Sequence, residues 1–115
     1  KIVDWTKNVT GSLTIIDEDV VGAFFKTVSL DGKEITDTNA LIVLESLFVY
    51  DKVTSTFETE NEDGNYDWVF KTSDAVKSGL SSLAGVGDHK LTYNMNFVDD
   101  HLLGTSQEIN ILFTV

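Results

Sequence analysis

The clearest pattern in this 115-residue sequence is a strict alternation of apolar and polar side chains in its last quarter. The alternation runs through HKLTYNMNF, is interrupted by the acidic stretch DDHLLGTS, and then resumes up to the last residue. Because successive side chains of a strand point to opposite faces, the two stretches predict an antiparallel pair with one buried and one wet face. The predicted buried positions are Leu91, Tyr93, Met95, Phe97, Ile109, Ile111, Phe113 and Val115.

Further runs rich in β-branched and aromatic residues precede this pair, and glycine-containing turn signals separate them. The turn signals are DGKE at 31–34, EDGN at 62–65 and GVGD at 85–88. About seven or eight strands are predicted in all. The runs upstream of the C-terminal pair are IVDW, SLTIIDE, VGAFFKTVSL, LIVLESLFVY, KVTSTFE and YDWVFKT.

One segment departs from the strand period. In SDAVKSGLSSLAG, Ser73 is suited to be an N-cap, three apolar residues follow at helical spacing, and Gly85 is suited to end the helix. We therefore predict one short helix near 73–84. Many short strands with a single helix are typical of an all-β, two-sheet antiparallel sandwich, here a single domain over residues 1–115.

The second half of the chain also resembles bacterial immunoglobulin-like modules. The resemblance covers residues 64–115 and rests on Trp-Val-Phe at 68–70, the stretch SSLAGVGDHKLTYNMNF, the turn residues VDD with Gly104, and the closing strand INILFTV. It implies an immunoglobulin-like sandwich of seven or eight strands. The stretch VDDHLLGTS departs from the family pattern, which has a shorter and more polar turn there.

Composition excludes several classes of function. Nineteen acidic and eight basic residues give a net charge of −11, which repels nucleic-acid backbones. No apolar run approaches the roughly 20 residues of a membrane span, and without cysteine there is no disulfide or thiolate nucleophile. The first residue is lysine, which suits a cleaved signal peptide or an excised domain equally.

No catalytic or nucleotide-binding motif is present in the sequence, so we predict a protein that is not an enzyme. His89 and His101 each follow an aspartate, but two separated histidines do not supply the ligand set of a zinc site. We interpret both as solvated loop residues.

The acidic turns indicate calcium as the one candidate cofactor. Asp63, Asp99 and Asp100 belong to turns that a sandwich gathers at one end, and carboxylate oxygens are the ligands that calcium prefers. The acidic run at 58–67 does not fit the EF-hand spacing. The alternative is a set of solvated acidic turns without metal.

The run ALIVLESLFVY at 40–50 is apolar on both faces when interpreted as a strand. Its odd positions then need a cover, either the 73–84 helix or another copy of the chain. We predict that the N-terminal segment of a second copy, with Ile2 and Trp5, completes this face or a nearby sheet edge; the alternative keeps the segment in its own domain. The predicted partner-binding residues on the run are Leu41, Val43, Leu47 and Val49.

Two modifications are candidates. Cell-surface sandwiches that resemble this chain can close a lysine–asparagine isopeptide bond beside a buried acid, and Lys26, Asn110 and Glu45 are the residues of this sequence that would form it. Asn8 begins an Asn-Val-Thr glycosylation sequon.

These patterns predict a non-enzymatic structural or adhesive module located outside the cell or on a cell or virion surface. Its partners would be further copies of itself, forming a filament, or a neighbouring surface protein. The alternative is a carbohydrate-binding module that stacks sugar rings on Trp5 or Trp68, although Trp68 also suits the core.

Overall fold

The structure, a computed structural model, describes residues 1–16, 20–52, 63–99 and 104–115. Most of these residues lie in strands of two antiparallel sheets, and two short helices join them. In chain order the elements are β1 (Val9–Ile16), β2 (Val20–Leu30), β3 (Lys33–Glu34), α1 (Thr38–Leu47), β4 (Phe48–Lys52), β5 (Asp63–Phe70), α2 (Asp74–Ala84), β6 (Asp88–Asp99) and β7 (Gly104–Thr114).

The first sheet has the strand order β1-β5-β4, and the second has the order β3-β2-β6-β7. The predicted C-terminal pair is confirmed as β6 and β7, whose register joins Leu91 to Ile111 and Tyr93 to Ile109. The predicted turn at 31–34 is also confirmed. Asp31 and Gly32 both have positive φ, which suits the two-residue hairpin between β2 and β3 because its backbone twist matches that of the strands.

Aromatic side chains join the two sheets. Tyr93 of the second sheet stacks on Phe48 of the first, with ring centroids 4.7 Å apart, and Phe48 in turn stacks on Trp68 at 5.3 Å. Phe25 contacts both Phe48 and Tyr93 from the second sheet. Trp68 is therefore part of the core, and the alternating apolar positions of β6 and β7 supply most of the remaining core residues.

The predicted 73–84 helix is confirmed as α2. Ser73 Oγ accepts a hydrogen bond from the backbone N–H of Val76, as an N-cap should, and the helix ends at Gly85 with φ of 85°. Leu80 is the buried residue of its inner face.

The prediction of a strand over 40–50 is wrong for its first part, where the chain forms the helix α1. Asp37 caps α1 by accepting a hydrogen bond from the N–H of Ala40 at 2.9 Å, and Ala, Leu and Glu favour the helix. The strand β4 begins only at Phe48. Leu41, Val43 and Leu47 therefore do not share a strand face with Val49, whose side chain lies outside the described residues.

None of the helices in the described ranges is long and apolar enough to cross a membrane.

Candidate functional site

An apolar groove lies between α1 and α2, with a volume of about 510 Å³. We call it the interhelical groove. Both walls present side chains at the helical spacing i, i+3, i+4 and i+7, so each helix turns one continuous face toward it. The residues lining it are Ala40, Val43, Leu44 and Leu47 of α1, Ala75, Val76, Gly79, Leu80 and Leu83 of α2, and Asp37 and Asn39 beside the start of α1.

The floor and the rim of the interhelical groove differ in exposure. Leu44 and Leu80 form the floor and are 1% and 3% exposed, so they belong to the main core. Val43 and Leu83 stand on opposite walls and are 58% and 43% exposed. An apolar groove with a buried floor and partly exposed walls is a candidate binding site.

The C-terminal end of α1 is held in place by a buried hydrogen bond. Tyr93 Oη donates to the backbone carbonyl of Leu44, one of the last four carbonyls of the helix, which have no partner within the helix itself. Burial, and then the nearby charge of Glu45, raises the pKa of Tyr93 well above its ordinary value, so the hydroxyl keeps its proton. The core thus fixes the position of the α1 wall.

The lining of the interhelical groove does not suit catalysis. Of its described residues only Asp37 and Asn39 are polar, and Asp37 is engaged as the cap of α1. No nucleophile stands beside a base there, and the described ranges contain no group of three His, Cys, Asp or Glu side chains that could hold a metal ion. The lining of the interhelical groove is therefore apolar except at the end beside the start of α1.

His89 lies in the lining of a second, more polar hollow. Its Nδ1 lies 2.6 Å from Asp31 Oδ2 and its Nε2 lies 2.9 Å from the carbonyl oxygen of Gly85. The hydrogen bond to Asp31 and then that to Gly85 raise the pKa of His89, and the ring donates both bonds in its protonated form.

The Asp31 carboxylate accepts a second bond from the backbone N–H of Lys90, and this bond is the largest cause that lowers its pKa, followed by the bond from His89. Because both nitrogens of His89 meet acceptors, neither is free to take a proton from a substrate. His89 therefore links the β2–β3 turn to the end of α2 through two hydrogen bonds. It is not the solvated loop residue expected from the sequence.

The N-terminal segment lies along the free edge of β7 in its own chain. Ile2 pairs with Leu112 in parallel, Val3 N–H donates to the carbonyl of Leu112, and Trp5 Nε1 donates to the carbonyl of Thr114 at 3.0 Å. This is the intramolecular alternative. Exchange of the segment into another copy stays a prediction, and Ile2, which is 77% exposed, makes little contact with the core.

Neither tryptophan offers an open platform for a sugar ring. Trp68 is 4% exposed and lies against Gly11 of β1. Trp5 is half-buried, meets Phe113 edge to face, and has the ammonium group of Lys77 at 5.9 Å from the centre of its ring.

The three residues of the predicted isopeptide bond do not line one common hollow in the structure. Lys26 and Glu45 line one shallow hollow on the side of α1 away from the interhelical groove, but Asn110 does not line it. Asn110 lies on the solvent face of β7 and accepts a hydrogen bond from Thr92 at 2.8 Å. Lys26 and Asn110 are both exposed, at outward-facing positions of their strands, and the isopeptide bond stays a prediction.

The calcium prediction remains open. Asp63 begins β5 and Asp99 ends β6, but their side chains and the whole of Asp100 lie outside the described residues. Asn8 is exposed, and its side-chain oxygen accepts a hydrogen bond from the N–H of Thr72. That bond ties the start of β1 to the segment before α2, and glycosylation of Asn8 stays a prediction.

Two features of the site were not predicted from the sequence. The first is the contact of His89 with Asp31, which are 58 residues apart. The second is the interhelical groove itself, which depends on α1; the signal that would have indicated α1 is Asp37 as an N-cap ahead of apolar residues at helical spacing, Ala40, Leu44 and Leu47.

The comparisons with known proteins add no relative. No protein-family model, no curated protein and no solved structure matches the chain.

Proposed function

We propose that this chain is a non-enzymatic, immunoglobulin-like module that holds a segment of another protein in the interhelical groove. The observation that carries this proposal is the groove itself, an open apolar channel whose floor is part of the core and whose rim residues Val43 and Leu83 are exposed. Covering these two half-exposed side chains contributes about 1 kcal/mol each.

The strand order supports the immunoglobulin-like part of the proposal. In that fold the second, fifth and fourth strands share one sheet, and the third, sixth and seventh strands share the other. If the N-terminal segment is counted as the first strand, β1, β5 and β4 form the first set, and β2, β6 and β7 the second, with β3 added at the edge. The aromatic contacts between the sheets are those expected of a sandwich.

A different protein suits the groove better than a second copy of this chain. Each copy carries a net charge of −11, so two copies repel each other, whereas a partner of neutral or positive charge does not meet this cost. The expected location, outside the cell or on a cell or virion surface, rests on the resemblance to bacterial surface modules and forms part of the proposal.

The test uses a variant that fills the groove without disturbing the fold. A Cβ atom added at Gly79 meets nothing within 4 Å, and leucine favours the helix where glycine disfavours it, so Gly79→Leu should fold at least as stably as the native protein. A library of displayed 12-residue peptides is panned on the native protein after depletion on Gly79→Leu. We expect apolar peptides that bind the native protein and lose binding to Gly79→Leu and to Val43→Ser.

Circular dichroism and urea unfolding establish that both variants are folded. The proposal is wrong if panning enriches no peptide, or if the enriched peptides bind Gly79→Leu as tightly as the native protein.

A further inference from the structure

The walls of the interhelical groove determine which backbone conformation its occupant can adopt. Both walls are helices, whose N–H and C=O groups are bonded within the helix, so the groove offers side chains and no strand edge. An extended peptide would bring its own backbone donors and acceptors into an apolar channel without partners, which is costly. A helix satisfies these groups internally, and its apolar stripe at i, i+3, i+4 and i+7 matches the spacing of the walls.

The length of the groove sets the length of the occupant. The helices α1 and α2 have 10 and 11 residues, which corresponds to about 15 Å at a rise of 1.5 Å per residue. A matching helix therefore contacts the groove over about three turns.

The charges around the groove favour cationic side chains at one end of the occupant. Asp37 is the one charged side chain among the described residues that line the groove, and it is exposed at the start of α1. The opposite end lies near Leu47, whose carbonyl accepts a hydrogen bond from the N–H of Lys71 just before α2, and the exposed Lys71 and Asp74 there balance each other in charge. The net charge of −11 adds a longer-range attraction for cations.

From these observations we infer that the partner segment is an amphipathic helix of about three turns, with lysine or arginine at the end that lies beside Asp37. This inference rests on the proposed function and names the chemistry of the partner. The mode of binding is a helix laid in an apolar groove, with cationic side chains that fix its direction.

The test compares three labelled 14-residue peptides with the same leucine stripe. The first carries two lysines at one end, the second carries glutamates at those positions, and the third is the lysine peptide with a central proline. Fluorescence anisotropy should show the lysine peptide binding most tightly, the glutamate peptide at least fivefold weaker, and the proline peptide on the order of 100-fold weaker, because proline breaks the helix.

Asp37→Asn tests the charge without loss of the cap, because asparagine is as good an N-cap as aspartate. It should weaken the lysine peptide about two- to fivefold and leave a glutamine-ended peptide unchanged. Glu108→Gln, which removes the same charge from the exposed face of β7, is the matched control and should have less effect.

The outcomes separate this inference from the proposed function. Peptides that depend on the groove but bind equally with lysine or glutamate ends, or with the central proline, overturn the inference and leave the groove as a binding site. If panning and these peptides show no binding that Gly79→Leu removes, both fail. Equal effects of Asp37→Asn and Glu108→Gln overturn the local contact with Asp37.

Discussion

Replacement of Gly11 by alanine tests the packing that joins β1 to the core. Gly11 pairs with Trp68 across the first sheet, and a Cβ atom at Gly11 would lie 2.3 Å from Cζ2 and 2.5 Å from Cε2 of the Trp68 ring. The ring cannot move away freely, because it is 4% exposed and stacks on Phe48. Gly11 is therefore required for the close approach of the indole to the backbone.

Two effects of opposite sign decide the size of the change. Alanine in place of glycine in a strand would by itself stabilise the fold by about 0.5–1 kcal/mol. Overpacking of the core costs about 1–3 kcal/mol. The cost of overpacking should exceed the gain from replacing glycine, and we expect Gly11→Ala to lower the free energy of unfolding by about 1–2 kcal/mol.

The assay is urea unfolding followed by circular dichroism. With a slope of about 1–3 kcal/mol per molar urea, the midpoint should fall by roughly 0.5–1 M with an unchanged slope. Trp68→Leu is destabilising on its own, and it removes the atoms that clash. In the Trp68→Leu background, Gly11→Ala should change the free energy of unfolding little. The difference between its effects in the two backgrounds is the coupling energy between positions 11 and 68.

Gly79→Ala is the matched control, since it makes the same chemical change where a Cβ meets nothing within 4 Å. It should raise stability by about 0.5–1 kcal/mol, because alanine favours the helix. The predicted clash is absent if Gly11→Ala is as stable as the native protein, or if it lowers the free energy of unfolding equally with tryptophan and with leucine at position 68.

Three further predictions concern His89, the end of α1 and the acidic turns. Because folding raises the pKa of His89, its contribution to stability is present below the ordinary histidine value of 6.5 and is lost as the pH rises through the raised pKa; melting temperatures measured from pH 5 to 9 should show this decline, and His89→Gln should remove it whereas His101→Gln should not. Tyr93→Phe should lower the free energy of unfolding in urea by about 1–3 kcal/mol, because it leaves the carbonyl of Leu44 buried without its donor, and an unchanged midpoint would contradict this. If the acidic turns bind calcium, millimolar calcium should raise the melting temperature, less so in Asp99→Asn, and identical melting curves with calcium and with chelator would leave them as solvated turns.

The elements with a clean period could be predicted from the sequence. Strands β6 and β7 alternate strictly, and α2 has a cap, an apolar stripe and a glycine stop, so local patterns alone determine them. The run at 40–50 has no such period, since apolar residues fill both the strand and the helix positions. Its helix depends on the cap at Asp37 and on the burial of Leu44, and the second of these is a tertiary effect.

The candidate site could not be predicted for a related reason. Val43 and Leu83 are 40 residues apart, and the pairing of β4 with β5, which brings Phe48 beside Phe70, helps to set α1 next to α2. Likewise, the sequence places Asp88 next to His89, whereas the fold brings Asp31 to its Nδ1. Contacts of this kind follow from strand order, which periodicity does not determine.

The parallel pairing of the N-terminal segment with β7 also decides how the domain carries mechanical force. Tension that enters ahead of Ile2 and leaves beyond Thr114 pulls two adjacent parallel strands in opposite directions along their common axis. The hydrogen bonds between Val3 and Leu112 and from Trp5 to Thr114 are then loaded together in shear, rather than broken one at a time as in a peeled hairpin. Resistance to pulling is governed by the rate of unfolding, so the strength of this short contact at the edge of the second sheet would contribute to the lifetime of the fold under load.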